Sequence, residues 1–358
     1  MAYTTIDDPS AHFHTRLYDG NGQDVSAGGN AITNNANAGN FQPDWVWVKT
    51  RGASRNHNTY DSSRGVRQRL EVNDGPAEST VAEGLQSFDT NGFTVGSDSN
   101  VNQSTTIVAW QWKANGGTTS SNSDGNITST VQANTTAGFS IVTFTGNGNN
   151  DATIGHGLGT TPAMIITKNR DDSVIWRVWH QNLTSTNVLF LNENFAQTAP
   201  SGHSNGYIKT VGRSTYSVYE GNSDTNGVNG SGDDMVAYCF AEKQGYSKFG
   251  SYEANNNTDG PFVYIGFKPS FLILKAIDQT GNWFIFDNKR DTDNAVSQIL
   301  YPDLASSEGS AAVLDFVSNG VKIRNSGSGG INHSGTYIYM AFAENPFVSS
   351  KGVPTTER

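Results

Sequence analysis

Two acid–arginine pairs with the same spacing are the first residues whose types could do chemistry. They are Asp61 with Arg64 and Asp287 with Arg290. A carboxylate beside a guanidinium could serve in catalysis or clamp a ligand carboxylate. At the corresponding positions in the middle of the chain stand His180 and Leu183, so the chemistry changes between copies. We therefore predict that both pairs and His180 are structural groups that close strand ends.

Three asparagines, each two residues before a serine, could bind a ligand through their side-chain amides. They are Asn102, Asn229 and Asn332. An amide offers donors and acceptors to a glycan or an ion, but asparagine also stabilises turns, and we favour the turn. Tyr60 and Trp179, near predicted strand ends, are further candidates because an exposed ring stacks well on a sugar.

No combination of residues in the sequence predicts catalysis or a bound metal. The seven histidines form no H-E-x-x-H motif, and no G-x-S-x-G motif occurs. Oxygen ligands for Ca²⁺ are dense in residues 89–102, 222–234 and 255–259, but none of these segments matches an EF-hand loop. We expect no enzyme and no cofactor, with calcium in these turns and a pair of distant carboxylates, as in a glycosidase, left open.

The candidate residues recur because the chain repeats itself three times. Each copy opens with a proline, one further residue and an apolar run that ends in lysine, at residues 43–49, 162–168 and 269–275. Trp176 and Trp283 follow the second and third of these prolines at the same distance of fourteen residues. Each copy ends in an apolar run after its Asn-x-Ser. Repeats of this length indicate related domains and not a solenoid.

The elements that position these residues are predicted to be strands. The runs after the prolines are apolar throughout, as in central strands, whereas other runs alternate with a period of two. With 39 glycines and only 16% charged residues, the chain favours short strands joined by polar turns. The predicted fold is all-β, with three related antiparallel β-sandwiches of the jelly-roll or lectin-like kind; one composite β structure is the alternative.

The predicted domains follow the repeats. Residues 1–113 are the first sandwich with an N-terminal arm, 138–245 the second and 246–347 the third. Residues 114–137, rich in Gly, Ser, Thr and Asn, are predicted as a linker that partly orders. The second junction is very short, so the second and third sandwiches should pack together. Residues 348–358 are predicted as an unanchored tail.

Charge and cysteine content exclude several classes of protein. The net charge of −10 disfavours nucleic acid, because an acidic protein repels phosphates. The single cysteine, Cys239, excludes an internal disulfide and a cysteine-based zinc site. No apolar run reaches the roughly 20 residues that span a bilayer. The N-terminus has no features of a signal peptide, so we expect neither membrane insertion nor export by that route.

Several longer stretches of the sequence are distinctive. They are MAYTTIDDPSAHFHT, FQPDWVWVK with DSSRG, GFTVGSDSNVNQS leading to VAWQWKANGGTTSSNSDG, and YCFAEKQGYSKFGSY. Over nearly the whole chain, the sequence resembles virion proteins of marine tailed bacteriophages, of the cyanophage and pelagiphage type. The resemblance implies concanavalin-like or SPRY-like β-sandwich modules in a tail fibre or tail-associated protein, and it brings no catalytic residues.

Together these observations predict a non-enzymatic virion protein on the phage tail that recognises a host-surface glycan or receptor. We expect a homotrimer in contact with other virion proteins, made in the host cytoplasm and released by lysis. Many copies on one virion multiply a weak affinity, so tight binding by one subunit is not required. Two alternatives stay open: a capsid decoration or head-fibre protein, and a polysaccharide depolymerase. A depolymerase would carry an acid pair, absent from the other copies, facing a groove.

Overall fold

A computed structural model describes residues 2–34, 40–184, 186–199, 206–219, 227–326 and 330–355. Regular structure in these residues is almost entirely β, which confirms the predicted all-β class. The helical segments among them are one short helix, α1 (Ser99–Asn102), and two 3₁₀ turns, Pro9–Ala11 and Val25–Ala27. The strands form six sheets, two in each third of the chain.

Nine strands form the first sandwich, within residues 13–112. They are β1 (Phe13–Asp19), β2 (Asn30–Thr33), β3 (Trp45–Thr50), β4 (Asn58–Asp61), β5 (Gln68–Glu71), β6 (Ser79–Thr80), β7 (Leu85–Asp89), β8 (Gly92–Val95) and β9 (Thr106–Trp112). One sheet has the order β1-β9-β3-β4-β5-β6, and the other has the order β2-β8-β7. The two sheets enclose the apolar interior of the sandwich.

Ten strands of the described residues form the second sandwich, between residues 120 and 240. They are β10 (Ser120–Asn122), β11 (Ser129–Asn134), β12 (Phe139–Thr145), β13 (Thr153–Gly155), β14 (Met164–Asn169), β15 (Arg177–His180), β16 (Leu189–Phe190), β17 (Tyr207–Val211), β18 (Thr215–Tyr219) and β19 (Asp234–Phe240). One sheet has the order β10-β11-β12-β19-β14-β15-β16, and the other has the order β13-β18-β17.

Eight strands form the third sandwich, within residues 247–346. They are β20 (Ser247–Ala254), β21 (Phe262–Tyr264), β22 (Phe267–Ala276), β23 (Trp283–Asp287), β24 (Val296–Ile299), β25 (Gly309–Val317), β26 (Gly320–Ile323) and β27 (Gly335–Pro346). One sheet has the order β20-β27-β22-β23, and the other has the order β21-β26-β25-β24.

The same four strands stand side by side in one sheet of each sandwich. The leading strand, which precedes the proline-opened run of each copy, pairs with the last strand of that copy. The last strand also pairs with the proline-opened strand, which in turn pairs with the strand that follows it in sequence. These sets are β1-β9-β3-β4, β12-β19-β14-β15 and β20-β27-β22-β23. We call the three sheets that contain them the inner sheets. All neighbouring strands within these sets run antiparallel, as the sequence predicts.

The inner sheets meet in one buried core that all three sandwiches share, the central core. The Trp45 ring lies 4.3 Å from the Tyr238 ring between centroids, which joins the first and second sandwiches. Phe13 stacks on Phe342 at 4.9 Å, which joins the first and third. Along β3, Val46 and Val48 face the interior of the first sandwich, while Trp45 and Trp47 face the central core. The run is apolar throughout because both faces of the strand are buried.

The segment predicted as a linker is built into the second sandwich. It contains β10 and β11, and β11 pairs with β12 along five residues. The carboxylate of Asp44 anchors its start by accepting hydrogen bonds from the backbone N–H groups of Ala114, Gly116 and Gly117 at 2.7 to 2.9 Å. β10 forms the edge of this sheet, and a composition rich in small polar residues does not reveal it, because an edge strand needs few apolar side chains.

The C-terminal segment contacts the N-terminal arm, so the prediction of an unanchored tail is wrong for its described part. The backbone N–H of Ser350 donates to Asp7 Oδ1 at 2.6 Å. The rings of Tyr3 and Phe347 lie 6.4 Å apart. The prediction for residues 356–358 lies outside the described residues. The predicted domain boundaries themselves stay a prediction.

Candidate functional site

The three repeated asparagines make the same hydrogen bonds in the three sandwiches. Asn229 Oδ1 accepts from the backbone N–H of Asn147 at 3.0 Å. Asn229 Nδ2 donates to Asn147 Oδ1 and to the Asn149 carbonyl, both at 2.9 Å. The equivalent partners are Asn21 and Gln23 for Asn102, and Asn255 and Asn257 for Asn332.

These bonds tie the turn after each leading strand to the segment before each last strand. Asn102, Asn229 and Asn332 are all fully buried, and their amides are occupied by the protein itself. The prediction that these three asparagines could bind a ligand is therefore wrong. The turn role that we favoured agrees with their geometry.

Asp61 and Arg64 belong to an ion network between the first and second sandwiches. We call the four residues Asp61, Arg64, Glu78 and Arg170 the first seam. Arg64 pairs with Asp61 and lies 2.5 Å from Glu78 Oε2, and Glu78 Oε1 lies 2.7 Å from Arg170 in the second sandwich. The hydroxyl of Tyr238, also in the second sandwich, donates to Asp61 Oδ2 at 2.7 Å.

Asp287 and Arg290 form the equivalent network between the third and first sandwiches. We call Asp287, Arg290, Glu308 and Arg51 the third seam. Arg290 Nε lies 2.5 Å from Asp287 Oδ2, and Arg290 and Arg51 lie 3.0 and 2.6 Å from the two oxygens of Glu308. The indole N–H of Trp110, in the first sandwich, donates to Asp287 Oδ2 at 3.0 Å.

The contact between the second and third sandwiches has the equivalent backbone hydrogen bond, but uncharged residues stand in place of the acids and arginines. We call His180, Leu183, Gln197 and Ile277 the second seam. The backbone N–H of Gln197 donates to the Ile277 carbonyl at 2.7 Å, as Glu78 does to Arg170 and Glu308 to Arg51. His180 Nε2 lies 3.2 Å from the Tyr339 carbonyl, and burial lowers the pKa of His180 to about 4, so that it is neutral at pH 7.

The seams explain why His180 and Leu183 replace an acid and an arginine together. An unpaired charge at a buried contact costs several kcal/mol. A copy that loses the acid is therefore most stable when the arginine and its further partners are lost as well. The pairs are structural groups at strand ends, and the structure adds that they join neighbouring sandwiches.

The structure contradicts one of the two aromatic candidates and leaves the other a prediction. Tyr60 is fully buried inside the first sandwich, so its ring cannot stack on a sugar and that prediction is wrong. Trp179 is half-buried and packs against the interior of the second sandwich. Among the exposed large apolar side chains are Phe262 and Tyr264 on β21, with 49% and 59% of their surface accessible.

The lysines that end the three proline-opened runs are fully buried as well. They are Lys49, Lys168 and Lys275. Each ammonium group donates to two backbone carbonyls; Lys275 Nζ, for example, lies 2.9 Å from the Ala276 oxygen and 3.3 Å from the Asn194 oxygen. Burial lowers the pKa of Lys168 to about 7 and those of Lys49 and Lys275 to about 8.

A cavity of about 380 Å³ opens between the second and third sandwiches, beside the second seam. We call it the amide cavity. Apolar side chains line part of it, and polar side chains, mostly amides, line the rest. The apolar residues are Ala276, Phe284 and Tyr337, and the polar ones are Asn194, Gln279, Thr280, Asn282 and His333. None of its lining residues in the described part of the chain is Asp, Glu, Lys or Arg.

A second cavity, of about 470 Å³, is charged; we call it the acidic groove. Asp291, Asp293 and Glu344 line it, together with two lysines. Asp291 Oδ2 accepts from the backbone N–H groups of Ser297 and Gln298 at 2.7 and 2.6 Å. Glu344 lies 2.7 Å from Lys268. Asp293 Oδ2 accepts from the hydroxyl of Thr292 at 3.1 Å, so each of the three carboxylates already has a partner.

The segments considered for calcium are occupied by internal bonds where the structure describes them. Asp98 caps α1, and Asp259 pairs with Lys322 at 2.6 Å. Residues 222–226 lie outside the described residues. Within the described ranges, no group of three or more His, Cys, Asp or Glu is placed to hold a metal. The helices of the described chain are too short or too polar to cross a membrane.

Sequence reasoning missed the amide cavity and the glutamates of the two charged seams. Glu78 and Glu308 carry no motif, because their distance from the arginines differs between copies. The signal for the cavity was available in the equal spacing of the second and third copies. Gln279 and Asn282 stand where the second copy has Asp172 and Ile175.

Fold and site together define a class: an all-β protein whose antiparallel sheets pack around a shared core, with repeated polar residues bonded within the protein and a cavity lined by amides. The chain belongs to the family described as a domain of unknown function, DUF7483, which matches residues 8–346. No curated protein and no solved structure matches the chain.

Proposed function

We propose that this protein is a structural component of a tailed-bacteriophage virion, attached to the tail, that recognises the host surface. The observation that carries the proposal is the central core, because its buried residues come from all three sandwiches and join them into one body. Such a body suits a protein that must present a surface rigidly outside a cell. The resemblance of long stretches of the sequence to marine phage virion proteins also supports it.

Immunogold labelling of intact virions with an antibody against this protein tests its location. We expect gold particles on the tail. Gold across the head would replace the tail assignment with the alternative of a capsid decoration or head-fibre protein. If a denatured blot detects the protein but purified particles do not contain it, the tail assignment and the capsid assignment are both refuted.

Fluorescently labelled protein, added to host and non-host cells, tests recognition. We expect host cells to be labelled more strongly, and excess unlabelled protein to compete. Equal labelling of both cell types would refute host-surface recognition and leave only a structural role.

We further propose that the protein forms a homotrimer in contact with other virion proteins. Exposed apolar side chains such as Phe262 and Tyr264 support contacts with further chains. Light scattering after size exclusion should give three times the chain mass of 38.4 kDa. A mass of one chain would show that the protein is a monomer and would refute the proposed trimer.

A polysaccharide depolymerase is a second candidate, and the acidic groove favours it. Asp291 and Asp293 have no acidic counterpart in the other copies, where Thr184 and Gly65 stand in place of Asp291, whereas Glu344 has Glu242 as its counterpart in the second copy. Two facing carboxyl groups are the usual requirement for glycoside hydrolysis. Release of reducing sugar from host polysaccharide, lost in both Asp293→Asn and Glu344→Gln, would establish an enzyme. No release by the unchanged protein would remove this candidate.

A further inference from the structure

We propose that the amide cavity is a binding site for a neutral saccharide. The inference rests on the proposed host-surface recognition and names its ligand and its place. Three features of the cavity support the proposal: the residues that line it, the lining groups that lack a partner, and the different residues at the same positions of the second copy.

The lining has the two kinds of surface that a sugar ring has. Phe284 and Tyr337 supply aromatic carbon for the C–H face of a ring, and Asn282 supplies donors and an acceptor for its hydroxyls. Gln279 supplies an acceptor only, because its Nε2 already donates to the His333 and Ser334 carbonyls. A volume of about 380 Å³ is within the range of roughly 300 to 1,000 Å³ that is usual for small-molecule sites.

The polar groups of the cavity have hydrogen-bonding capacity left over. The side-chain amides of Asn194 and Asn282 form no hydrogen bond within the described part of the chain. Among the same residues, His333 Nδ1 has no partner either. This contrasts with Asn102, Asn229 and Asn332, whose amides are fully used. Unused amides beside aromatic rings are available to a hydroxyl-rich ligand.

Charge selects against an anionic ligand. The lining residues that the structure describes carry no Lys or Arg that could pair with a carboxylate or sulfate. The adjoining second seam is neutral, and the chain as a whole has a charge of −10. A neutral hexose or N-acetylhexosamine unit therefore fits better than a sialylated or sulfated one.

The second copy has no equivalent cavity lining. Counted from Lys168 and Lys275, the positions of Gly281, Asn282 and Phe284 are occupied in the second copy by Val174, Ile175 and Arg177. Arg177 is buried there, over the ring of Phe190. The lining therefore does not belong to the frame that the copies share, and it is available for a separate task.

The experiment uses the full chain on an array of neutral and anionic oligosaccharides, followed by calorimetric titration with the strongest neutral binder. Asn282→Ala removes one unused amide. Gly281→Val with Asn282→Ile installs the residues of the second copy, and a Cβ at Gly281 would be 3.9 Å from Ala276, an ordinary contact. Gln23→Ala is the matched control: this exposed amide of the first sandwich makes no side-chain hydrogen bond within the described residues.

We expect binding to at least one neutral oligosaccharide, weakened about tenfold in Asn282→Ala and abolished in the double variant, with Gln23→Ala unchanged. Each variant should keep the urea midpoint of the unchanged protein within error. Binding only to anionic glycans, no saccharide binding, or equal binding by the double variant would overturn the proposal. If the double variant still labels host cells, the amide cavity is not the recognition site, but host-surface recognition stands. If the unchanged protein binds sugars but no cells, the saccharide site stands and host-surface recognition is refuted.

Discussion

At the scale of single residues, several buried side chains are held by hydrogen-bond partners far away in the sequence. Asn102 is 81 residues from Asn21 and bonds to it twice. Trp176 donates its indole N–H to the carbonyl of Glu71 at 2.8 Å, and Trp283 donates to that of Phe190 at the same distance. Removing such a side chain leaves its partner buried without a hydrogen bond, which costs more than the bond itself contributes.

Replacement of Asn102 by alanine should destabilise the protein through the turn that it holds. The backbone N–H of Asn21 and the carbonyl of Gln23 would lose their partner. We expect the free energy of unfolding to fall by about 1–3 kcal/mol, measured by urea denaturation. Gln23→Ala, in the same turn but exposed, should change it by less than about 0.5 kcal/mol. Equal effects of the two changes would contradict the role of Asn102.

Stability should rise with pH from 7 to about 9 because of the three buried lysines. Burial lowers their pKa values to about 8, 7 and 8 from the usual 10.5. In this window the unfolded chain keeps protons that the folded chain has lost, so the free energy of unfolding increases with pH. The urea midpoint should therefore increase from pH 7 through 8 to 9.

Lys168→Met is the matched change for this pH dependence. It removes the lysine with the lowest of the three pKa values, so the rise of the midpoint should become shallower. A midpoint that is flat or falls between pH 7 and 9 in the unchanged protein would mean that the lysines stay charged in the folded state.

At the scale of elements, the inner sheets are joined by seams of different chemistry. The first and third seams each contain two acids and two arginines, and their acid–arginine pairs have fully buried side chains. The second seam is neutral and lies beside the amide cavity. Charged seams fix the contact by geometry, because each carboxylate accepts from two elements at once.

The first seam should be intolerant of partial loss and tolerant of complete replacement. Arg64→Leu leaves Asp61 buried without its counter-charge, and we expect a loss of about 3–5 kcal/mol. Replacing Asp61, Arg64, Glu78 and Arg170 together by His, Leu, Gln and Ile installs the residues of the second seam. This variant should recover most of the lost stability in the same urea assay. If it is as unstable as Arg64→Leu, charge is not what the seam requires.

At the scale of the whole molecule, the central core makes the three sandwiches depend on one another. Trp112 lies 4.4 Å from Trp45 in its own sandwich, and 5.7 and 5.9 Å from Phe271 and Phe342 in the third. Exposing this surface would cost every sandwich part of its apolar burial. The molecule should therefore unfold as one unit.

Calorimetry should show a single unfolding transition, in the unchanged protein and in Trp112→Ala. The substitution removes a large side chain from the central core and should lower stability by about 3–5 kcal/mol. Its transition should shift as a whole, because the space left by the missing Trp112 side chain weakens contacts of all three sandwiches. Val66→Ala, at an exposed position, is the control. Two separate transitions in Trp112→Ala would show that the first sandwich unfolds independently.

The sequence by itself determined the all-β class, the threefold repetition and the strands that open after the prolines. These are properties of local pattern, since the spacing of apolar residues follows from which faces of a strand are buried. It also pointed to Asp61, Asp287 and His180 as equivalent positions. It could not tell that Tyr60 lies inside, because a strand end with mixed residues does not show which face it buries.

Only the tertiary structure decided how the copies meet. The partners of Asp61 and Asp287 are Tyr238 and Trp110, on other sandwiches, and no local pattern specifies a contact across so much chain. The segment predicted as a linker contributes two strands, β10 and β11, which extend the sheet beyond β12. The amide cavity exists because Asn194 from one sandwich and Gln279 from the next come together beside the neutral seam. Such a cavity is the space left between folded units, so it arises only when they pack.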